Sequence, residues 1–581
     1  MASDGKTGMA RWLPILGWLP AYQREWFRAD LIAGVTVWAL VVPQAIAYAQ
    51  IAGLPPQAGV FASFAAPLGY ALYGTSRQLI VSPTSATAAI SAALVTPLVV
   101  AGDVAGYAAL SAALAILCGL LFLLLGRFNM GFLAQFIAPS VQTGFLVGLG
   151  LTIMIGQVCK ILGIESEEGP FYKQAWHVLT SLDATSGWTL AVGGISLVLL
   201  FVMRRVAPSL PMALILVVLS IVVVTVFSLD DRGVAVVGEV SRAIPALRIP
   251  RVPVTDLLTL IPGTFAIVVI GYSESMSVAR GFADRHHYRV DANKEFTALG
   301  MSSIFGGLFQ GFITGGGASQ SAANDRAGAK TPVAAIVLSI LAFLSAILLL
   351  PFFRDLPHAV LGAIVIFAVV GFVDIPAMQR LQRLRSDSYL LAMVALVGVL
   401  VLGILPGLLI SVAISILVLL GRLSRPNGDA LGRLPQGDVF VPIDDSDGVA
   451  TESGLLVYRL EAPLIFVNST WNLDLIRAEI ERQPQSPRVV VLDMSANDDL
   501  EVAGIDFLES LHRELEHDQR ELWLSRVNPK AMTIIQRSDL KGILGEDRIH
   551  RTNRDAWEAF HQRFPPGPAQ PGRGGPAAHT R

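Results

Sequence analysis

The succession of apolar segments between about residues 30 and 425 constrains this chain more than any other feature. Many of these segments approach the ~20 residues that an α-helix needs to cross the hydrocarbon core of a bilayer. Charged residues make up only 15% of the 581-residue chain and hydrophobic residues 53%, whereas soluble domains carry about 25% charged residues. The chain is therefore predicted to be a polytopic α-helical membrane protein.

At most fourteen membrane elements can be counted, and eleven of them are clear. The clear elements span residues 31–52, 58–73, 105–125, 136–156, 188–203, 212–227, 264–278, 333–352, 360–373, 389–405 and 408–420. Three further elements, at 84–96, 295–310 and 315–328, are short or interrupted by glycine. With the N-terminus in the cytoplasm and every element crossing, most Lys and Arg residues fall on the inner side, as the positive-inside rule expects. The same count returns the C-terminus to the cytoplasm.

Charge and cysteine usage exclude several classes of function. The 43 basic and 45 acidic residues leave a net charge of −2, which offers no basic face to a nucleic acid. The two cysteines, Cys118 and Cys159, lie in apolar runs and do not suit a disulfide framework or a thiolate metal site. The sequence contains no recognisable nucleotide-binding loop, metal-ligand cluster or nucleophile–base pair. The chain is therefore predicted to be neither an enzyme nor a cofactor-binding protein.

The composition changes abruptly after Arg425. A linker is expected at 426–437, followed at 438–564 by a small cytoplasmic α/β domain whose strands, beginning near residues 455, 464, 489 and 521, alternate with helices. The membrane domain occupies 30–425. Residues 1–29 are expected to form a cytoplasmic or interfacial segment with Trp12, Trp18 and Trp26 at the headgroup level. The Pro- and Gly-rich stretch 565–581 is expected to be a disordered tail.

Two of the short membrane elements begin abruptly. Ser82 can cap a helix with Pro83 at its first position, so a short helix is predicted from Thr84. A second short helix is predicted at Ala318 and Ser319, after three consecutive glycines. If both helices start in the middle of the membrane, their free N–H groups and positive dipole ends form a site for a small anion. The alternative is that these small residues only allow helices to pack closely.

Glu274 is the second indication of a site, because it lies near the middle of an apolar span. A carboxylate there is costly unless it is functional or paired, and burial favours its neutral, protonated form. A proton or cation role is the functional interpretation, and a salt bridge with Arg280 or Arg326 is the structural one. Gln44 follows a proline in the first span, and Tyr48 lies one turn further on the same helix face. Both side chains suit either a polar site or helix packing.

The membrane part of the chain contains four long motifs: DLIAGVTVWALVVPQAIAYAQIAGLPPQAGVFAS at 30–63, SPTSATAAIS at 82–91, GYSESMSVARGFA at 271–283, and NKEFTALGMSSIFGGLFQGFITGGGASQSAANDRAGAKT at 293–331. These motifs resemble the signature sequences of the sulfate permease (SulP) family of anion transporters. The part after residue 437 is similar to the STAS domain that accompanies this family. The resemblance follows the chain in order over nearly its whole length.

The resemblance implies a fold and a site. The fold is a seven-plus-seven inverted repeat of about 14 membrane helices, followed by the STAS domain, in which the third and tenth helices are half-helices that meet at the substrate. A core domain moves against a gate domain, commonly within a homodimer. The substrate-binding residues carried over are Gln44, Tyr48, Thr84, Gly317, Ala318, Ser319 and Gln320, and the coupling residue is Glu274.

Three positions depart from patterns found in the family. Gln320 stands where many members have Arg, so the helix dipoles must provide more of the anion binding. Val278 lies one helical turn after Glu274, at the position where sodium-coupled bicarbonate members have Thr. This difference argues against sodium coupling. Ala503 precedes Gly504 where STAS domains of the anti-sigma-antagonist type carry a phosphorylatable Ser.

These observations predict proton-coupled uptake of a small inorganic anion, most simply sulfate, across the inner membrane of a bacterial-type cell. Bicarbonate or a dicarboxylate such as fumarate is the alternative substrate, because helix N-termini select charge and size more than identity. An alternative of another class is a membrane-anchored regulatory protein whose STAS domain performs the function. The expected partners are the anion, the proton, the lipid bilayer and a second copy of the chain, with no nucleic acid.

Overall fold

The computed structural model describes residues 13–100, 102–131, 138–167, 169–207, 210–238, 244–434, 439–445 and 449–565. The chain divides into two compact units, 1–416 and 417–581. The predicted interfacial residue Trp12 and all but the first residue of the predicted tail at 565–581 lie outside the described residues.

The first half of the membrane unit follows a turn of helix at Ile15–Trp18. Its helices are α1 (Trp26–Ile51), α2 (Pro56–Tyr73), α3 (Ser85–Val95), α4 (Val104–Arg127), α5 (Pro139–Leu162), α6 (Phe171–Thr180), α7 (Gly187–Val206) and α8 (Met212–Phe227). A two-residue strand, β1 (Val81–Ser82), precedes the half-length helix α3. The short helix α6 only connects α5 to α7.

The second half repeats this order. Its elements are α9 (Val254–Arg285), α10 (Ala292–Leu308), β2 (Gly315–Gly316), α11 (Ala318–Arg326), α12 (Val333–Leu348), α13 (His358–Val369), α14 (Ile375–Leu384), α15 (Ser386–Leu402) and α16 (Ile404–Ser424). A strand again precedes the third helix, and a short connecting helix, α14, again follows the fifth. Because β1 and β2 pair antiparallel, the equivalent elements of the two halves run in opposite directions. The predicted seven-plus-seven inverted repeat is confirmed.

Helix length separates full spans from shorter elements. Seven helices of the described residues are long and apolar enough to cross a membrane. Helix α9 has 32 residues and extends well beyond the predicted span at 264–278, because only its middle is continuously apolar. The half-helices α3 and α11 have 11 and 9 residues, about 16 and 14 Å at the helical rise of ~1.5 Å per residue. Each therefore covers about half of the ~30 Å hydrocarbon core.

The membrane helices pack in two groups. A core group holds α1–α4 and α9–α12, and a gate group holds α5, α7, α8 and α13–α15, with α1 contacting α8 and α13 at the junction. Helix α16 joins the gate group, because Gly407 lies directly against Val399 of α15. Glycines allow close helix contact within each group. A Cβ on Gly59 would lie 2.0 Å from the carbonyl oxygen of Ala45, and one on Gly144 would lie 1.9 Å from that of Ala392. The hydrophobic effect does not drive helices together in lipid, so the van der Waals contacts that this close approach allows stabilise their association.

The second unit is a six-stranded α/β domain with the strand order β4-β3-β5-β6-β7-β8. Its strands are β3 (Gly428–Arg433), β4 (Phe440–Pro442), β5 (Leu455–Leu460), β6 (Val489–Asp493), β7 (Glu521–Ser525) and β8 (Ile549–His550). Its helices are α17 (Ser469–Arg482), α18 (Val502–His517), α19 (Pro529–Arg537), α20 (Leu540–Leu544) and α21 (Asn553–Arg563). Strands β5 to β8 are parallel, as the alternation of strands and helices predicts.

Two details of this unit differ from the sequence prediction. Strand β3 lies within the expected linker at 426–437, because it pairs antiparallel with β5. The predicted strand from Leu464 was wrong, since that segment is a turn before α17. The backbone N–H groups of this segment donate to side-chain oxygens and not to a neighbouring strand. The side-chain oxygen of Asn497 accepts the N–H of Leu464 at 2.7 Å, and that of Asn468 accepts the N–H of Ile465 at 3.0 Å.

Candidate anion-binding site

The two half-helices begin at a pair of crossing strands. Val81 of β1 pairs with Gly316 of β2, and Ser82 pairs with Gly315. The N–H of Gly317 extends this ladder by donating to the carbonyl of Ile80 at 3.0 Å. Because each strand leads directly into its half-helix, the ladder fixes the starts of α3 and α11 next to each other. The predicted meeting of two helix N-termini follows from this pairing.

Thr84 caps the start of α3. The sequence analysis had instead predicted Ser82 as the capping residue. The hydroxyl of Thr84 accepts the N–H of Thr87 at 3.2 Å, and the hydroxyl of Thr87 accepts the N–H of Thr84 at 3.3 Å. This reciprocal capping box fixes the first turn of the helix. Ser82 cannot cap the helix because its backbone belongs to the strand pair. Thr84 itself is buried.

The start of α11 is open. Its N-cap, Gly317, has no side chain, and the first helical hydrogen bond runs from the N–H of Ser321 to the carbonyl of Gly317. The three preceding N–H groups of the helix therefore have no partner within it. Ala318 and Ser319 are exposed although residues 311–317 before them and Gln320 after them are buried. The positive end of α11 thus faces accessible space in the interior of the membrane unit.

Gln320 folds back over its own helix start. A Cβ on Gly317 would lie 1.8 Å from the side-chain oxygen of Gln320, so only glycine permits this conformation. That oxygen also accepts the hydroxyl of Ser319 at 3.1 Å, and the amide of Gln320 donates to the side-chain oxygen of Gln44 at 2.9 Å. Gln320 is therefore held by protein groups on both of its polar atoms, and Ser319 is the polar side chain at this helix start that faces open space.

One face of α1 contacts both half-helices. Gln44 bonds to Gln320 of α11, whereas Tyr48, one turn further along, lies beside Ser85 of α3. Both residues are buried, and Tyr48 also lies within electrostatic range of Glu274 on α9. The structure thus brings residues of α1, α3, α9 and α11 together around the two helix starts.

Glu274, which is only half-buried, differs from the two buried acidic residues of the membrane unit, Asp30 and Glu295. Asp30 of α1 accepts the N–H groups of Lys330 and Thr331 and the hydroxyl of Thr331 at 2.6–3.1 Å. Glu295 of α10 likewise accepts two bonds from Thr75 and one from Tyr70 at 2.6–2.8 Å.

No residue that the structure describes gives Glu274 a hydrogen bond or an ion pair, and the salt bridge with Arg280 or Arg326 is absent. Because a carboxylate without partners is costly at this depth, Glu274 is suited to pick up a proton, whereas Asp30 and Glu295 join helices.

Three polar residues of the site were missed in the sequence analysis. The hydroxyl of Ser275 accepts the N–H of Gly316 at 2.8 Å and donates to the carbonyl of Gly271, so it joins α9 to β2. Ser85 contacts Tyr48, and Thr87 completes the capping box. The spacing of Thr84 and Thr87 could have revealed the box. The contacts of Ser85 and Ser275 join separate elements and leave no local pattern.

Comparisons with known proteins identify the family of the chain. The Sulfate permease family profile matches residues 27–395, and the STAS domain profile matches residues 448–556. A probable sulfate transporter of Mycobacterium tuberculosis is 35% identical over 559 residues, which cover 95% of this chain and 99% of the relative. High affinity sulfate transporter 1 of Stylosanthes hamata is 31% identical over 575 residues, covering 95% of this chain and 86% of the relative.

Solved structures share the fold. The inward-facing structure of the murine Solute Carrier 26 family member A9 anion transporter superposes with a TM-score of 0.88 at 23% identity, covering 97% of this chain and 96% of that chain. The transmembrane domain of a cyanobacterial bicarbonate transporter superposes with a TM-score of 0.59 at 19% identity, covering 68% of this chain and 98% of that chain. The chain is therefore a multi-pass membrane protein that belongs to the sulfate permease family of anion transporters and carries a STAS domain.

Proposed function

We propose that this protein is a secondary transporter that takes up a small inorganic anion, sulfate, together with protons. The observation that carries the proposal is the open start of α11 beside the start of α3, with the unpartnered Glu274 on the adjoining helix. Exposed N–H donors and two positive dipole ends replace the hydration shell of an anion without a fixed cation. The sulfate transporters among the relatives favour sulfate as that anion.

Glu274 provides the coupling to protons in this proposal. An ionised Glu274 repels an incoming anion, whereas a protonated one does not. Binding of the proton and binding of the anion therefore favour each other, and by linkage each raises the affinity of the other by the same factor. A proton gradient directed into the cell then drives the anion in the same direction.

The two helix groups supply the proposed movement. The substrate residues belong to α1, α3, α9 and α11, all within the core group, so the site can move as one body against the gate group. We place the N-terminus and the STAS domain in the cytoplasm, the protein in the inner membrane, and two copies in a homodimer, as the family resemblance implies. Deletion of the α/β unit tests whether this unit regulates transport or is needed for assembly of the transporter.

Counterflow of labelled sulfate in proteoliposomes tests the proposal. Vesicles loaded with unlabelled sulfate should accumulate external label transiently, and an excess of external sulfate should abolish the signal. Bicarbonate and fumarate serve as competitors in parallel samples. Stronger competition by bicarbonate than by unlabelled sulfate would identify bicarbonate as the substrate, and the same result with fumarate would identify a dicarboxylate. A protein that moves none of the three anions would refute transport and favour the regulatory alternative.

A further inference from the structure

A cavity lined by both polar and apolar side chains lies between the core group and the gate group, at the end of α1 that is opposite to Asp30. Its volume is about 580 Å³. The charged or titratable side chains that line it are Lys160 at the end of α5, His358 at the start of α13, and Glu165 in the loop after α5. Gln50 of α1 and Thr189 of α7 complete the polar lining. None of these residues belongs to the site around the two half-helices.

A hydrogen-bond chain crosses the junction between the groups at this cavity. The ammonium of Lys160 donates to the side-chain oxygen of Gln50 at 3.2 Å, and the side-chain nitrogen of Gln50 lies 3.0 Å from Nδ1 of His358. Lys160 has only donors, so it requires the oxygen of Gln50 on its side. The NH₂ group of Gln50 must then face His358, and Nδ1 of His358 must be an acceptor. The hydrogen-bond chain from Lys160 through Gln50 to His358 therefore requires a neutral His358.

Protonation of His358 reverses this arrangement. A protonated Nδ1 would place a donor against the NH₂ group of Gln50, so the bond between α1 and α13 would be lost. The cavity would then present two cationic groups, Lys160 and His358. Within the residues that the structure describes, no carboxylate lies within ion-pair distance of Lys160. Glu165 lines the same cavity, and its backbone carbonyl accepts a hydrogen bond from Nε2 of His177 at 3.0 Å.

We propose that this cavity is a second anion-binding site, in which Lys160 and protonated His358 bind a small inorganic oxyanion and release Gln50. Lys160 and protonated His358 both line the cavity and can donate hydrogen bonds to the oxygens of one anion. The N-terminus of α13, which begins at His358, adds the positive end of a helix dipole. Because Gln50 is the bridge between the core and gate groups here, binding of the anion unlocks the junction. The inference rests on the proposed function only for the choice of sulfate as the probe.

The test isolates this cavity from the central site. Full-length protein with Ser319→Leu, which fills the central site, is purified in detergent, and its unfolding temperature is measured against sulfate concentration at constant ionic strength. A ligand that binds the folded state raises this temperature. The sulfate-dependent shift should persist in Ser319→Leu, and adding Lys160→Gln should raise the half-saturating sulfate concentration by roughly ten-fold, the value of one charge-assisted hydrogen bond.

Two further variants make the test specific. Lys173→Gln, which removes an exposed charge on α6, should leave the half-saturating concentration unchanged. The shift should also be larger at about pH 5 than at about pH 7, a range in which a histidine can change its charge, and His358→Gln should remove this difference. An equal shift in Ser319→Leu with and without Lys160→Gln would overturn the proposal, and so would the absence of any shift in Ser319→Leu. A Lys160-dependent shift in a protein without counterflow would instead refute the transport function and retain the site.

Discussion

Replacement of Glu274 by Gln is the sharpest test of the coupling mechanism. The two side chains have nearly the same size and shape, and Gln reproduces the neutral form of the carboxyl. The structure gives Glu274 no hydrogen bond or ion pair with any described residue, so the substitution breaks no polar contact among these residues. We therefore expect Glu274→Gln to fold normally, to bind the anion and to catalyse counterflow, while losing the response to a proton gradient.

The size of the effect follows from the number of titratable groups. Glu274 is the one carboxylate that the described residues place at the two helix starts, since Asp30 and Glu295 are held by backbone and hydroxyl donors elsewhere. One proton per anion is thus expected. A gradient of one pH unit is worth about 1.4 kcal/mol per proton, which corresponds to about ten-fold accumulation. Sulfate with one proton keeps a net negative charge, so a membrane potential of 100 mV would contribute about 2.3 kcal/mol and must be clamped.

Proteoliposomes with the potential clamped at zero provide the assay. Wild-type vesicles with an acidic exterior should accumulate labelled sulfate about ten-fold per pH unit, and Glu274→Gln vesicles should only equilibrate it. Glu274→Asp should keep accumulation, because it retains a titratable group. Asp256→Asn makes the same charge change in the first turn of the same helix and should behave as wild type. Gradient-driven accumulation by Glu274→Gln would show that the proton travels through another group, and the assignment would be wrong.

Three further outcomes are expected. Ser319→Leu should abolish saturable sulfate counterflow by filling the open start of α11, whereas Ser319→Ala should only weaken it; wild-type affinity in the leucine variant would remove Ser319 from the site. Gly316→Ala should lower the unfolding temperature by several degrees, because its Cβ would lie 2.9 Å from atoms of Leu79 and Ser275, whereas Gly271→Ala, with nothing within 4 Å, should change it little. Deletion of all residues after Gly437 should reduce folding yield or membrane delivery more than anion choice, and a changed order of competition among sulfate, bicarbonate and fumarate would contradict this.

The sequence alone determined the class of fold and the places where its helices are interrupted. Span length and apolar composition are properties of contiguous residues, so a membrane helix can be recognised from its own segment. The abrupt starts of the half-helices are also local, because they depend on Thr84, Gly317 and their immediate neighbours. The resemblance of four motifs added the inverted repeat, whose antiparallel strand pair the structure confirms. The cap at Thr84 in place of Ser82 shows the limit of local reasoning, since a strand partner more than 200 residues away engages Ser82.

The tertiary structure decided which polar residues are free to act. Asp30, Glu274 and Glu295 all lie in membrane helices, and the sequence drew attention only to Glu274. Their difference depends on donors that are distant in the chain: Tyr70 lies 225 residues from Glu295, and Thr331 lies 301 residues from Asp30. The bridge from Lys160 through Gln50 to His358 has the same character. Helix starts can be predicted because capping is a property of neighbouring residues, whereas partners across a fold depend on how the whole chain packs, which no local pattern encodes.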